Sequence, residues 1–203
     1  AASSLTVLDL HGLQIAGGQL WAITGLGSVE ELRLRELLDR DHASLAAIRM
    51  LPRLRSLSLI DCKPICRDLS FLPHGGLASN GGVHGEMGAG RPKLKHLALS
   101  VRELRGGSVT VDCASILRAG TTIEELDVSF LRPDPTTRWD VAVPPIRDLD
   151  LAKLILNLPN LRRCLARGMF ENEGCALPLV LSHATKLEML DASRPYTVGT
   201  TGR

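Results

Sequence analysis

Residues 54–62, L-R-S-L-S-L-I-D-C, constrain the fold of this chain more than any other stretch. Apolar side chains fall at Leu54, Leu57 and Leu59, with Cys62 three further on. Successive side chains of a strand point to opposite faces. Leu57 and Leu59 therefore enter a core together, while Ser56, Ser58 and Ile60 share the outer face. Just upstream, residues 44–51 (S-L-A-A-I-R-M-L) set Leu45, Ile48 and Leu51 three apart, which is a helical spacing. Pro52 then ends that element, since its ring nitrogen has no proton to donate. The unit this predicts is helix, proline turn, strand.

The strand frame recurs at residues 5–13, 29–37, 94–99 and 123–131, and in weaker form at 161–169 and 187–192. With 54–62 that makes seven copies, whose starts lie 24, 25, 40, 29, 38 and 26 residues apart. Aromatic residues are only 3% of the chain, so the core has to be built from Leu, Val, Ile and Ala, which suits stacked, similar layers. Between the frames, helical spacing appears at residues 19–24, 44–51, 113–119, 148–158 and 175–184. Asp112 and Asp148 are the expected N-caps, and Gly120 is the expected stop of the third helix. Residues 146–154 also satisfy the strand frame, but they begin only 15 residues before Leu161. The run Leu158-Pro159-Asn160-Leu161-Arg162 repeats Leu51-Pro52-Arg53-Leu54-Arg55, where a helix ends, so 148–158 is assigned helix.

The two long spacings carry insertions. Residues 73–92 hold seven glycines and predict a mobile surface loop; residues 132–147 hold four prolines and Trp139, a stiffer segment in which the indole is expected to pack. The two insertions are expected on opposite edges of the layers. Residues 1–193 are expected to form a single domain and 194–203 a disordered tail. The chain lacks an initiator Met and enters a strand pattern by Leu5, so it reads as a piece of a longer protein.

Charge is nearly balanced, 24 basic against 22 acidic residues, and interleaved, which gives no reason to expect nucleic acid or an anionic membrane as partner. No apolar run reaches the roughly 18 residues of a spanning helix. Five cysteines is an odd number, and Cys164 falls on an inward strand position, so buried free thiols and a reducing compartment, cytoplasm or nucleus, are expected.

At this point the chain resembles the leucine-rich repeat superfamily, on the L-x-x-L-x-L-x-x-C frame of residues 54–62 and its recurrences from Leu5 to Ala192. Its irregular, helix-containing repeats look closer to ribonuclease-inhibitor-like and F-box-associated repeats than to secreted ones. The resemblance implies an α/β solenoid, a horseshoe of about seven irregular repeats with a concave parallel β-sheet and outer helices, used to bind another protein. Many F-box proteins look like this downstream of their F-box, which joins them to a ubiquitin ligase while the repeats hold the substrate. Substrate recognition for such a ligase is the leading expectation. The alternatives are the sensor domain of a nucleotide-binding immune receptor and a ribonuclease-inhibitor-like GTPase-activating protein.

The outward strand positions form three ladders across the seven frames. Their charged members are the candidate protein-binding residues: Asp9, His11, Glu31, Arg33, Arg35, His96, Glu125, Asp127, Arg163 and Arg167, with Trp139 in the second insertion. Either they read a charged peptide, arginine holding carboxylate with paired donors, or they neutralise one another across adjacent strands. Cys62, Cys66, His74 and His84 lack the compact paired spacing of a zinc module, so no metal is expected. Gly25-Leu26-Gly27-Ser28 lacks the third glycine and following helix of a dinucleotide fingerprint, so no cofactor is expected. No G-x-S-x-G or H-E-x-x-H occurs, and the chain is read as a non-enzyme.

Overall fold

The computed structural model describes residues 4–12, 19–36, 45–62, 68–73, 93–102, 111–131, 146–170 and 176–193. Each of the seven frames forms a strand: β1 (Val7–His11), β2 (Glu31–Arg35), β3 (Ser56–Ile60), β4 (His96–Arg102), β5 (Glu125–Asp127), β7 (Arg163–Leu165) and β8 (Met189–Asp191). They make one parallel sheet in chain order, and a short β6 (Phe130–Leu131) pairs with the end of β4. The register is the one the frames dictate. Leu32, Leu57, Leu97, Leu126 and Cys164 are successive partners across the sheet, each at most 1% exposed.

One hydrogen-bond device joins every layer to the next. The carbonyl just before a strand accepts from two successive amides of the following layer, at 2.7–3.1 Å. Thr6 serves Glu30 and Glu31, Glu30 serves Arg55 and Ser56, and the same pairing recurs at Arg55, Lys95, Glu124 and Arg162. A second device turns the chain into β3 and β7. Leu51 and Leu158 both take extended dihedrals (φ −84, ψ 99 and φ −92, ψ 102), as a residue before proline must. Both carbonyls then accept from the amide three residues on, Leu54 and Leu161, at 3.3 Å.

Behind the sheet the sequence expectation needs correction. Segments 19–24 and 44–51 are not α-helices but 3-10 turns, Gln19–Gly25 and Ala46–Met50. At seven and five residues both exceed the three or four usual for this tighter winding, and Leu45 supplies no side-chain cap to the second. The other three are α1 (Cys113–Ala119), α2 (Asp148–Asn157) and α3 (Ala176–His183). Asp112 caps α1 as expected, its Oδ1 accepting from the Ser115 amide at 3.0 Å. Asp148 does not cap α2. Arg147 occupies that position without a side-chain cap bond, and Asp148 and Asp150 sit in the first turn, where negative charge meets the positive end of the helix dipole. Gly120 follows α1 as expected, but its φ is an ordinary −75. Its requirement is room, because a Cβ there would overlap Leu158 Cδ2.

The residue seven past the start of each frame divides the layers. Gly12, Glu36, Asp61 and Gly168 occupy the same place in the frame, and all four take positive φ, between 53 and 70. In the fourth and fifth layers that place belongs to Val101 and Phe130, residue types that resist the left-handed region, and the chain stays extended to form the β4–β6 pair. Ser129, which strict alternation from Asp127 within the frame 123–131 would put on the outer face, is instead 4% exposed between buried Val128 and Phe130. In the end layers Leu8, Leu10, Leu187 and Leu190 are only partly buried. Segment 68–73 packs with Leu69, Phe71 and Leu72 buried, held by Arg49, which donates to the carbonyls of Ser70 and Phe71. Residues 74–92 and 132–145, Trp139 among them, and the tail 194–203 lie outside the described residues.

Candidate functional site

Strand alternation puts one set of side chains into the core and leaves the other on an open sheet face, where the candidate residues sit. In the middle of this face lies an open depression of about 360 Å³. Its floor is shallow because β3 and β4 present Ser56, Ser58 and Ala98, small side chains between the charged strands on either side. Glu31, Arg33 and Arg35 of β2 line one side; His96, Glu125, Asp127 and Arg163 line the other. Asp9, His11 and Arg167 lie on the same face outside this lining, and Trp139 is outside the described residues.

The charges are largely engaged with one another. Arg35 Nη2 meets Asp9 Oδ2 across β1 and β2 at 3.1 Å, and Arg33 Nε meets Glu31 Oε1 at 2.6 Å. His11 Nε2 lies 3.4 Å from Glu36 Oε2. Glu125 is taken from both sides, by His96 Nδ1 at 2.9 Å and Arg163 Nη1 at 3.0 Å. Arg167 Nε meets Asp191 Oδ2 at 2.6 Å. Neutralisation across strands is thus the resting state of the face. These pairs are roughly 40% exposed, so each contributes little to stability and opens readily to a competitor.

Burial works against the charge of Glu125, but the hydrogen bond and charge of His96 and the Arg163 guanidinium outweigh it and hold the carboxyl below its usual value. Asp191 is pulled down to about 2, first by the Ser193 hydroxyl and then by Arg167. Asp127 has a backbone role that the sequence reading missed. Its Oδ1 accepts from the Ser129 amide at 2.9 Å, as Asp191 Oδ1 does from Ser193 at 3.1 Å, and both occupy the same place in the frame. An aspartate at a strand's last position, two residues before the amide it accepts from, is the signal for such a turn.

Sequence reasoning also passed over the small residues. Ser58 and Ala98 matter by leaving space, and a ladder that runs charged, small, small, charged is their signature.

Thiol chemistry at neutral pH is disfavoured at Cys113 and Cys164. Burial, then Asp127, raises Cys164 to about 12, and burial, then Asp150 and Asp112, raises Cys113 to about 11. Cys62 is fully buried with its thiol 3.3 Å from the Leu34 carbonyl. Among the described residues no group of three or more His, Cys, Asp or Glu is placed to hold a metal, and Cys66, His74 and His84 lie outside them. No described helix is long and apolar enough to cross a membrane.

Fold and face together define an α/β protein built of sequential parallel layers, with a mixed-charge open surface and a small-residue depression at its centre. No family model and no curated protein matches the chain.

Proposed function

We propose that this chain is a leucine-rich repeat module of the horseshoe type that binds a protein partner on the open sheet face, and that its setting is substrate recognition for an F-box-type ubiquitin ligase. The observation that carries the binding reading is the central depression, floored by Ser56, Ser58 and Ala98 and bordered by arginines and carboxylates. A sheet face that served only as surface would have no need of a gap in its middle. Ion pairs around the gap are exposed enough to exchange partners, which suits recognition better than bracing. The repeat reading is supported by seven frames in one register and by the recurring hydrogen bonds between layers. Cys113 and Cys164, outside any disulfide, fit a reducing compartment, cytoplasm or nucleus. The ligase setting rests on the resemblance alone.

The test of the binding reading is a display selection of peptides against the whole chain. Selected binders are re-measured on Ser58→Trp, which fills the depression, and on the exposed pair Arg53→Glu with Lys93→Glu, away from it. Loss of at least tenfold on Ser58→Trp alone, with unchanged circular dichroism, is the expected result. Binders indifferent to Ser58→Trp would place recognition elsewhere.

A further inference from the structure

Four residues stand in one straight row across the middle of the face. Arg33, Ser58, Ala98 and Asp127 are successive register partners on β2, β3, β4 and β5. The row has a cation at one end, an anion at the other and two small side chains between. Its ends are three strand steps apart, about 14 Å at the usual spacing, so Arg33 and Asp127 cannot meet.

Both ends keep unused capacity. Arg33 spends Nε on Glu31, leaving its two Nη nitrogens without a partner among the described residues. Beside it Arg35 spends Nη2 on Asp9. At the far end Asp127 gives Oδ1 to the Ser129 amide and keeps Oδ2 open, whereas neighbouring Glu125 has both oxygens taken.

We propose that the occupant of this face is an extended peptide segment with an acidic and a basic side chain four residues apart, lying across the strands along this row; the proposal rests on the protein-binding reading above. Four residues of extended chain span about 13–14 Å, the length of the row. An even separation puts both side chains on the same side of the peptide, toward the sheet, whereas three or five would turn one away. The acidic side chain meets Arg33 and Arg35, and the basic one meets Asp127. The residue midway faces Ser58 and Ala98. A helical peptide would need about nine residues to cover the same distance, at 1.5 Å each.

The selected peptides supply the test. The expected result is enrichment of an Asp or Glu and a Lys or Arg four positions apart. Affinity should fall about tenfold or more on Arg33→Gln, and again on Asp127→Asn, which retains the acceptor for the Ser129 amide. Exchanging the peptide's acid for its amide should abolish the effect of Arg33→Gln, and exchanging its Lys for norleucine should abolish that of Asp127→Asn. Moving the two charges to a separation of three should weaken binding as much as removing one. Peptides that lose binding on Ser58→Trp but carry no such pair, or carry it nine apart, would overturn this inference and leave the face as the binding surface. Peptides indifferent to Ser58→Trp would overturn both.

Discussion

The first three layers and the later ones solve the same problem with different material. Behind β1, β2 and β3 the chain returns through 3-10 turns of seven and five residues; behind β4 to β8 it returns through α-helices of seven, ten and eight. At about 2.0 Å and 1.5 Å per residue these segments all span roughly 10–15 Å. The tighter winding covers the distance with fewer residues, and the 3-10 returns belong to the shortest repeats, 24 and 25 residues apart. Strand register is the same in both halves, because each inner strand must match two neighbours. The return path has no such constraint, and repeat length decides its form.

Core truncation gives the largest expected effect. Leu57 and Leu126 hold the same place in the frame, one in each half, at 0% and 1% exposure. Leu→Ala at either should cost about 2–5 kcal/mol in urea unfolding. Equal costs would mean that the backing element does not matter to the core. A smaller loss at Leu57 would mean that the 3-10 half collapses more easily around the cavity, and no loss at either would break the shared register.

Glycine replacement probes the returns themselves. Gly120→Ala, in the α-backed half, forces Leu158 aside and should cost on the order of 1 kcal/mol by thermal melting. Gly27→Ala, in the 3-10 half, meets open space at an unstrained φ and should stay within about 0.5 kcal/mol of wild type. A costly Gly27→Ala would show the first half to be packed more tightly than its open surroundings allow.

How much of this was legible follows from what each feature depends on. Strand positions and their partners could be read because Leu32, Leu57, Leu97 and Leu126 follow a period-two pattern that burial enforces. The helix ending at Leu158 was legible by its likeness to the turn at Leu51. The winding of residues 19–24 and 44–51 was not, because 3.0 and 3.6 residues per turn place the same apolar side chains inward over so short a run. The charged face was legible as a set but not as pairs: Arg35 chooses Asp9 rather than Glu36, and Arg33 turns back to Glu31 on its own strand. Ser129 was misjudged because the strand frame was continued past Asp127, whose carboxylate instead bends the chain.

Thiol labelling compares the halves kinetically. With Cys62 and Cys164 both fully buried, peptide-resolved alkylation at pH 8 should leave both unmodified in the folded protein, with Cys113 slow. Labelling of Cys62 before Cys164 would identify the 3-10 half as the one that opens first.

The smallest effect belongs to acid. Asp191 falls from 3.8 to about 2 on folding, through the Ser193 hydroxyl and Arg167. A depressed carboxyl contributes stability that is fully present above about pH 4 and lost as pH falls through 2, so the β7–β8 end should loosen in that window. A carboxyl carbon chemical shift for Asp191 that titrates near 4 would remove this contribution.

Native-state hydrogen exchange tests the layered sheet most directly. The amides of Glu31, Ser56, His96, Glu125 and Arg163 all donate to the layer before them. Ser56, His96 and Glu125, in the interior layers, should exchange with one shared, near-global protection, and Met189, in the last layer, should exchange faster. Rapid exchange at Ser56 or His96 would contradict a continuous sheet, and with it the open face on which recognition is proposed.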